Sequence, residues 1–256
     1  MYLPSFRLDG SVAVVTGGSR GIGRALAIGL AEAGADVAII ARAEKELNEA
    51  AEEIRQTGRK AYIVTADLIQ KTEIDKAIDK LSTETNGISI LINNVGINIR
   101  TPALEVTDDQ WEKIIQTNLK SAFFTSQACA KQMKKKGYGR IVNIASVAGK
   151  MATRSGVVYA LTKAGMIQMT KVLALEWAQY GINVNGVSPW YVKTPLTEGM
   201  LSNESYVSEI LGRTMIKRLS EVQDLVGPVV FLCSAAANFI TGQTLFVDGG
   251  MTVYGF

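Results

Sequence analysis

Tyr159 and Lys163 are four residues apart, so on any helix that contains them they lie one above the other on the same face. An ammonium one turn from a phenol can pull the phenol's pKa down from about 10, and a tyrosine so tuned can exchange a proton near neutral pH. An interfacial tyrosine beside a snorkelling lysine looks the same when the pair stands alone. Ser146 removes that isolation. It follows the apolar run at 140–145 and therefore stands at the carboxyl end of an expected strand, where a hydroxyl can hold a reacting oxygen.

A third feature is the glycine-rich stretch Thr16-Gly17-Gly18-Ser19-Arg20-Gly21-Ile22-Gly23, directly after the first apolar run. Glycine permits a sharp turn and close backbone approach, and a helix opening at Gly21 offers free N–H groups to a pyrophosphate. Gly17, Gly21 and Gly23 have the spacing G-x-x-x-G-x-G, which differs from the G-x-G-x-x-G dinucleotide pattern but follows the same physical logic. At the end of the second apolar run stand Ala41 and Arg42. An acid there would accept from the ribose 2′-OH of NAD and repel a 2′-phosphate. Arg42, with Arg20 from the glycine turn, predicts NADP(H) instead, because guanidiniums grip phosphate with charge-assisted bonds.

The composition removes other chemistries. The 256 residues include no histidine, which excludes Ser-His-Asp hydrolysis, Cys-His chemistry and His-ligated zinc. Cys129 and Cys233 sit far apart in apolar stretches and read as buried free thiols of a cytoplasmic protein, with no metal site expected. A formal net charge of +3, with Lys134, Lys135 and Lys136 as the one basic run, is a thin footprint for nucleic acid and reads as a solvated helix end. Residues 1–10 carry charge and proline without an apolar signal core, so neither secretion nor an anchor is expected. The charge-free stretch 226–247 is broken by Pro228, Asn238 and the Thr241-Gly242-Gln243 turn. It reads as a buried helix followed by a buried strand, not as a membrane span.

The elements that must position these groups alternate along the chain. Short β-branched runs at 11–17, 36–41, 60–65, 89–93, 140–145, 183–188 and 243–247 read as strands, and 21–34, 43–56, 71–85, 108–135, 155–179 and 221–235 read as helices. With 47% hydrophobic residues and no linker-like stretch, one α/β domain spanning 1–256 is expected. Strict βαβ alternation predicts a doubly wound, Rossmann-type parallel sheet of about seven strands with helices on both faces and ligands at the strand carboxyl ends.

Taken in order, Thr16 to Gly23, Asn93-Asn94-Val95-Gly96, Asn118, Ser146, Tyr159-x-x-x-Lys163 and Val247-Asp248-Gly249-Gly250 resemble the short-chain dehydrogenase/reductase family over essentially the whole chain. The resemblance implies hydride transfer between a nicotinamide and an alcohol or ketone carbon, with Tyr159 as acid and base. Lys163 would hold the nicotinamide ribose, Ser146 the substrate oxygen, and Asn118 a proton-relay water within a distorted helix. It also implies that Ser19 and Ile22 join the glycine turn at the cofactor, that Asp67 and Leu68 meet the adenine, and that Asn94 and Gly96 line its ribose. Pro189, Val192 and Thr194 would lie against the carboxamide. Two departures stand out: Val95 replaces the usual alanine, and Trp190 replaces the glycine that usually follows the proline.

By the same resemblance the segment at about 192–217 lids the substrate. Its mixture of Pro195, Leu196, Met200, Leu201, Tyr206 and Met215 with polar residues suits a small or medium carbonyl compound. Three branches fit: sugar-acid and polyol dehydrogenases, tropinone-reductase-like enzymes, and 3-oxoacyl-carrier-protein reductases. The carrier-protein reading is weakened by Gln179-Tyr180 where a basic residue is common, although Lys134 to Lys136 could dock an acidic carrier. A catalytically silent NADP-binding sensor on the same fold is a reading of another class. The helix at 156–179 is apolar nearly all round. With Ile114, Phe123, Phe124 and Met133 on the other long helix and the apolar end 253–256, it predicts a homotetramer.

Overall fold

The computed structural model describes residues 2–255. The run Val12–Thr16 forms β1, buried along its whole length, as a strand covered on both faces must be. The strands β2 (Asp36–Ala41), β3 (Ala61–Thr65), β4 (Ile90–Asn93), β5 (Gly139–Ile144), β6 (Ile182–Pro189) and β7 (Thr244–Val247) follow in turn. Between them come α1 (Gly21–Glu32), α2 (Glu44–Gln56), α3 (Lys71–Glu84), α4 (Asp108–Ile115), α5 (Ser121–Lys136), α6 (Val157–Trp177), α7 (Glu198–Leu201), α8 (Glu204–Gly212) and α9 (Gln223–Cys233). The seven strands make one parallel sheet in the order β3-β2-β1-β4-β5-β6-β7. Successive side chains of a strand face opposite layers. Val15 and Ile39 accordingly enter the core packed by α1, α2 and α9, while Val14 and Ile40 enter that packed by α3, α5 and α6.

Strand order reverses between β1 and β4, the crevice where such sheets bind ligands. The glycine turn leaves the end of β1 and Asn94 to Gly96 leave the end of β4, so both open on that crevice.

The helix expected at 108–135 is distorted at Asn118, as the resemblance implied, into α4, one π-helical turn at Gln116–Lys120, and α5. Two expectations need correction. The strand expected to be buried at its end, β7, is not; as the last strand of the sheet it leaves Leu245 exposed. Ile114 and Met133, assigned to an exposed patch, are both buried within the chain: Met133 in the core between α5 and the sheet, and Ile114 on α4, which packs against α6. Among the described residues no helix is long and apolar enough to cross a membrane. Phe256, part of the apolar end, lies outside the described residues, as does Met1.

Candidate active site

The glycine turn is built for close approach. Gly17 and Gly21 hold φ of +64° and +54°, and a Cβ on Gly23 would lie 2.1 Å from the Gly17 carbonyl oxygen. Any larger residue at Gly23 would push the turn off the first turn of α1. The helix opens with no side-chain cap and no acid in its first turn, so its N–H groups and positive dipole end face the crevice unneutralised. Asn94 fixes the turn from the β4 side, its Nδ2 donating to the carbonyls of Thr16 (3.1 Å) and Gly17 (3.2 Å). Thr194 comes over it from beyond β6, within 3.7 Å of a Cβ placed on Gly21. Arg20 and Arg42 are exposed and form no ion pair among the described residues. Ser19 instead donates to Glu46 at 3.2 Å. Ile22 is partly buried beneath the turn, Asp67 accepts from the Ile69 N–H at 3.2 Å, and Leu68 is buried after β3. A backbone cradle, an unneutralised helix end and two free guanidiniums fit a dinucleotide bearing an additional phosphate.

Lys163 and Asn118 meet below the crevice. The buried Lys163 ammonium donates to the Ile144 carbonyl at 2.7 Å. Burial pushes its pKa down to about 8. Asn118, fully buried in the π turn, grips the loop after β4: the Ile97 N–H donates to its Oδ1 and its Nδ2 donates to the Ile97 carbonyl, each at 2.8 Å. A Cβ on Gly96 would sit 3.5 Å from Asn118 Oδ1 and 3.7 Å from Lys163 Nζ, so the three residues share one wall. The π turn is what lets Asn118 face Ile97.

Ser146 and Tyr159 open into a cavity of about 350 Å³, walled also by Arg100, Trp190, Tyr191 and Met200. The Ser146 hydroxyl accepts from the Ala148 N–H at 3.2 Å. Burial raises the Tyr159 pKa, against the smaller downward pulls of the Ser146 hydroxyl and the Arg100 charge. Lys163 does not supply the downward pull expected of it, because its ammonium is turned to Ile144 and sits 5.6 Å from the centre of the phenol ring.

Arg100 and Tyr191 are the residues that sequence reasoning missed, together with their bonds to Tyr206 of the expected lid. Arg100 donates to the Tyr206 hydroxyl at 3.3 Å and lies 6.0 Å from the centre of the Tyr191 ring. Among the described residues it is the one charged side chain lining the cavity. Tyr206 stands on α8 and shares a hydrogen bond with Tyr191; burial and that bond hold the Tyr191 hydroxyl at about 12. The signal available was only an arginine in the loop beyond a strand's carboxyl end. Pro189, at the end of β6, and the buried Val192 place the following segment at the same cavity rim.

A doubly wound sheet with a glycine cradle at its switch point and a Ser-Tyr-Lys group beside it defines a nucleotide-dependent oxidoreductase. A family profile described as "Enoyl-(Acyl carrier protein) reductase" matches residues 17–252. A tropinone reductase homolog of Arabidopsis thaliana is 42% identical over 97% of this chain and 95% of its own length. Gluconate 5-dehydrogenase of Gluconobacter oxydans is 38% identical over 97% of both chains. A crystal structure of a gluconate 5-dehydrogenase from Burkholderia cenocepacia in complex with NADP and tartrate, 38% identical, superposes with a TM-score of 0.96 over 100% of both chains. The chain belongs to the short-chain dehydrogenase/reductase family.

Proposed function

We propose that this chain is an NADP(H)-dependent oxidoreductase that interconverts a secondary alcohol and a ketone on a sugar acid. The observation that carries the substrate class is Arg100: a guanidinium with no carboxylate partner among the described residues, in the cavity that holds Ser146 and Tyr159. A carboxylate is the group such a guanidinium binds best, through paired charge-assisted hydrogen bonds. The gluconate 5-dehydrogenase relatives and the tartrate in one of them support the same reading.

The cofactor would lie along Gly17, Ser19, Gly21, Ile22 and Gly23, with Arg20 and Arg42 at its 2′-phosphate and Asp67 and Leu68 at its adenine. Asn94 and Gly96 would line its ribose, and Pro189, Val192 and Thr194 its carboxamide. When bound, the nicotinamide supplies or accepts the hydride. In reduction Tyr159 Oη gives its proton to the oxygen of the substrate carbonyl, and in oxidation it takes that proton back. Ser146 Oγ donates to the same oxygen and holds it in place. Lys163 would trade its bond to Ile144 for the ribose hydroxyls, bringing its charge to the reacting groups, and Asn118 would hold the water through which it is reprotonated. Residues 192–217, with α7 and α8, would close over the substrate, and the whole chain would act as one domain.

The acyl-carrier alternative finds less support. Lys136 is engaged by the carbonyls of Asn86 and Gly87, Lys134 lies 4.0 Å from the centre of the Tyr180 ring, and Lys135 bonds Gln132. The run lies in the last turn of α5, at the negative end of that helix's dipole, and is engaged by the chain itself. The sensor reading has no use for a Ser146–Tyr159 pair set in a substrate-sized cavity.

Two free, buried thiols support a reducing cytoplasmic setting. A homotetramer is supported by side chains exposed in one chain: Leu161, Val172 and Leu175 on α6, the last 82% exposed, and Leu245 and Val253 towards the C-terminal end.

The test of the substrate class is Arg100→Met assayed on gluconate and on an uncharged cyclic alcohol. The loss of a charge-assisted pair worth about 1.5–3 kcal/mol should raise the KM for gluconate roughly 10- to 100-fold while the neutral alcohol changes little. Equal changes on both would refute the carboxylate role.

A further inference from the structure

Among the described residues, Trp190 and Tyr191 alone line both the reaction cavity and a second cavity of about 160 Å³ behind it. Their rings meet edge to face, with centroids 4.5 Å apart at 70°. The wall is braced at both ends. The Trp190 N–H points to the Val247 carbonyl at 3.4 Å, extending the β6–β7 pairing past Pro189. Tyr191 packs edge-on against Tyr206 of the lid, with ring centroids 5.7 Å apart at 86°. The partition thus runs from the end of the sheet, where the Trp190 backbone is held, to Tyr206 on α8.

The reaction cavity lies near the lower end of the range for ligand sites, about 300–1,000 Å³, and the second space adjoins it directly across the indole. Thr214, Ser220 and Asp248 line that second space, and its charged pair Arg218 and Asp224 is closed on itself by two hydrogen bonds of 2.6 and 2.7 Å. The Asp248 carboxylate accepts from the Gly250 and Thr252 N–H groups at 3.0 and 2.8 Å, so it too is held by the chain itself. The significance of the second space is as volume that Trp190 denies to the substrate.

We infer that Trp190 is a specificity-determining residue, a partition that limits the size of the carbonyl compound the site accepts. The inference rests on the oxidoreductase reading above but not on the sugar-acid substrate. The indole Nε1 is buried without a hydrogen-bond partner among the described residues, an arrangement that costs stability. The ring's contribution to the wall is therefore its shape, and a phenyl ring serves the same purpose.

The experiment compares cyclohexanone with 4-phenylcyclohexanone as NADPH-dependent substrates of the wild type, Trp190→Gly, Trp190→Val and Trp190→Phe. Opening the wall should raise kcat/KM for the larger ketone relative to the smaller by about tenfold or more in the Gly variant, and in the same direction in the Val variant. The Phe variant should keep the wild-type ratio. The Val variant decides the matter if the Gly variant does not fold. A purely structural role would change both ketones in parallel, and an unchanged ratio, or no reduction of either ketone by either opened variant, overturns the inference. Both ketones are uncharged, so failure of the sugar-acid reading would show separately, as no turnover of gluconate by the wild type.

Discussion

The Lys163 ammonium is bonded to the Ile144 carbonyl at 2.7 Å, not to the phenol of Tyr159 one turn earlier. The lysine's charge is taken up by the end of β5, and burial governs both groups, lowering the lysine to about 8 and raising the tyrosine. The protein alone therefore keeps Tyr159 protonated, ready to act as an acid.

Lys163 should make stability depend on pH with a definite sign. Its folded pKa of about 8 lies below its ordinary value of 10.5. Below about 8 the lysine is charged in both states, so the cost of burying that charge is fully present. Between about 8 and 10.5 the folded lysine is neutral while the unfolded one keeps its proton, and stability rises with pH. Cofactor-free wild type and Lys163→Met, compared by urea unfolding at pH 7 and pH 9.5, should differ by an amount that moves in favour of the wild type at the higher pH. A constant difference would mean that Lys163 does not titrate in this window.

Tyr159→Phe should remove turnover and spare cofactor binding, because the hydroxyl is needed mainly in the transition state. The expected loss in kcat is about 10²- to 10⁴-fold, with the NADPH Kd nearly unchanged by fluorescence titration. Retention of more than about a tenth of the wild-type kcat would show that another group supplies the proton.

Cofactor preference should follow the residues after β2. Ala41→Asp combined with Arg42→Ala places a carboxylate where it accepts from a free 2′-OH and repels a 2′-phosphate, and removes one of the two free guanidiniums. The ratio of kcat/KM for NADP to that for NAD should fall by about tenfold or more. An unchanged ratio would assign discrimination to Arg20.

Association should bury the exposed side chains of α6 and β7. Light scattering on the eluting peak should report about four times the 27.6 kDa chain. A folded, active monomer at micromolar concentration would leave Leu175, Val253 and their neighbours without a cover and would exclude the tetramer.

The sheet is legible in the sequence because each strand is a short β-branched run bounded by helices of a different period, and the strand ends then place Ser146, Asn94 and the glycine turn. Arg100 and Tyr191, and their meeting with Tyr206 of the lid, are not legible in the same way. They sit in loops and in a lid helix, come from sequence positions up to 106 residues apart, and meet only because α8 folds back over the ends of β4 and β6. The direction of the Tyr159 shift is hidden for a related reason: spacing reveals a neighbour, but burial and the neighbour's own bonding partner depend on the whole fold. Edge exposure of β7 is likewise a property of strand order, which no local pattern carries.

The π turn at Gln116–Lys120 sets two kinds of order against each other. A regular α-helix through this stretch would pair every carbonyl four residues on, yet it would swing Asn118 away from Ile97 and leave the wall behind Lys163 without its clamp. Removing one residue from the turn would thus repair the helix and dismantle the site. The length of the chain here is itself a functional quantity, as specific as the identity of any residue it carries.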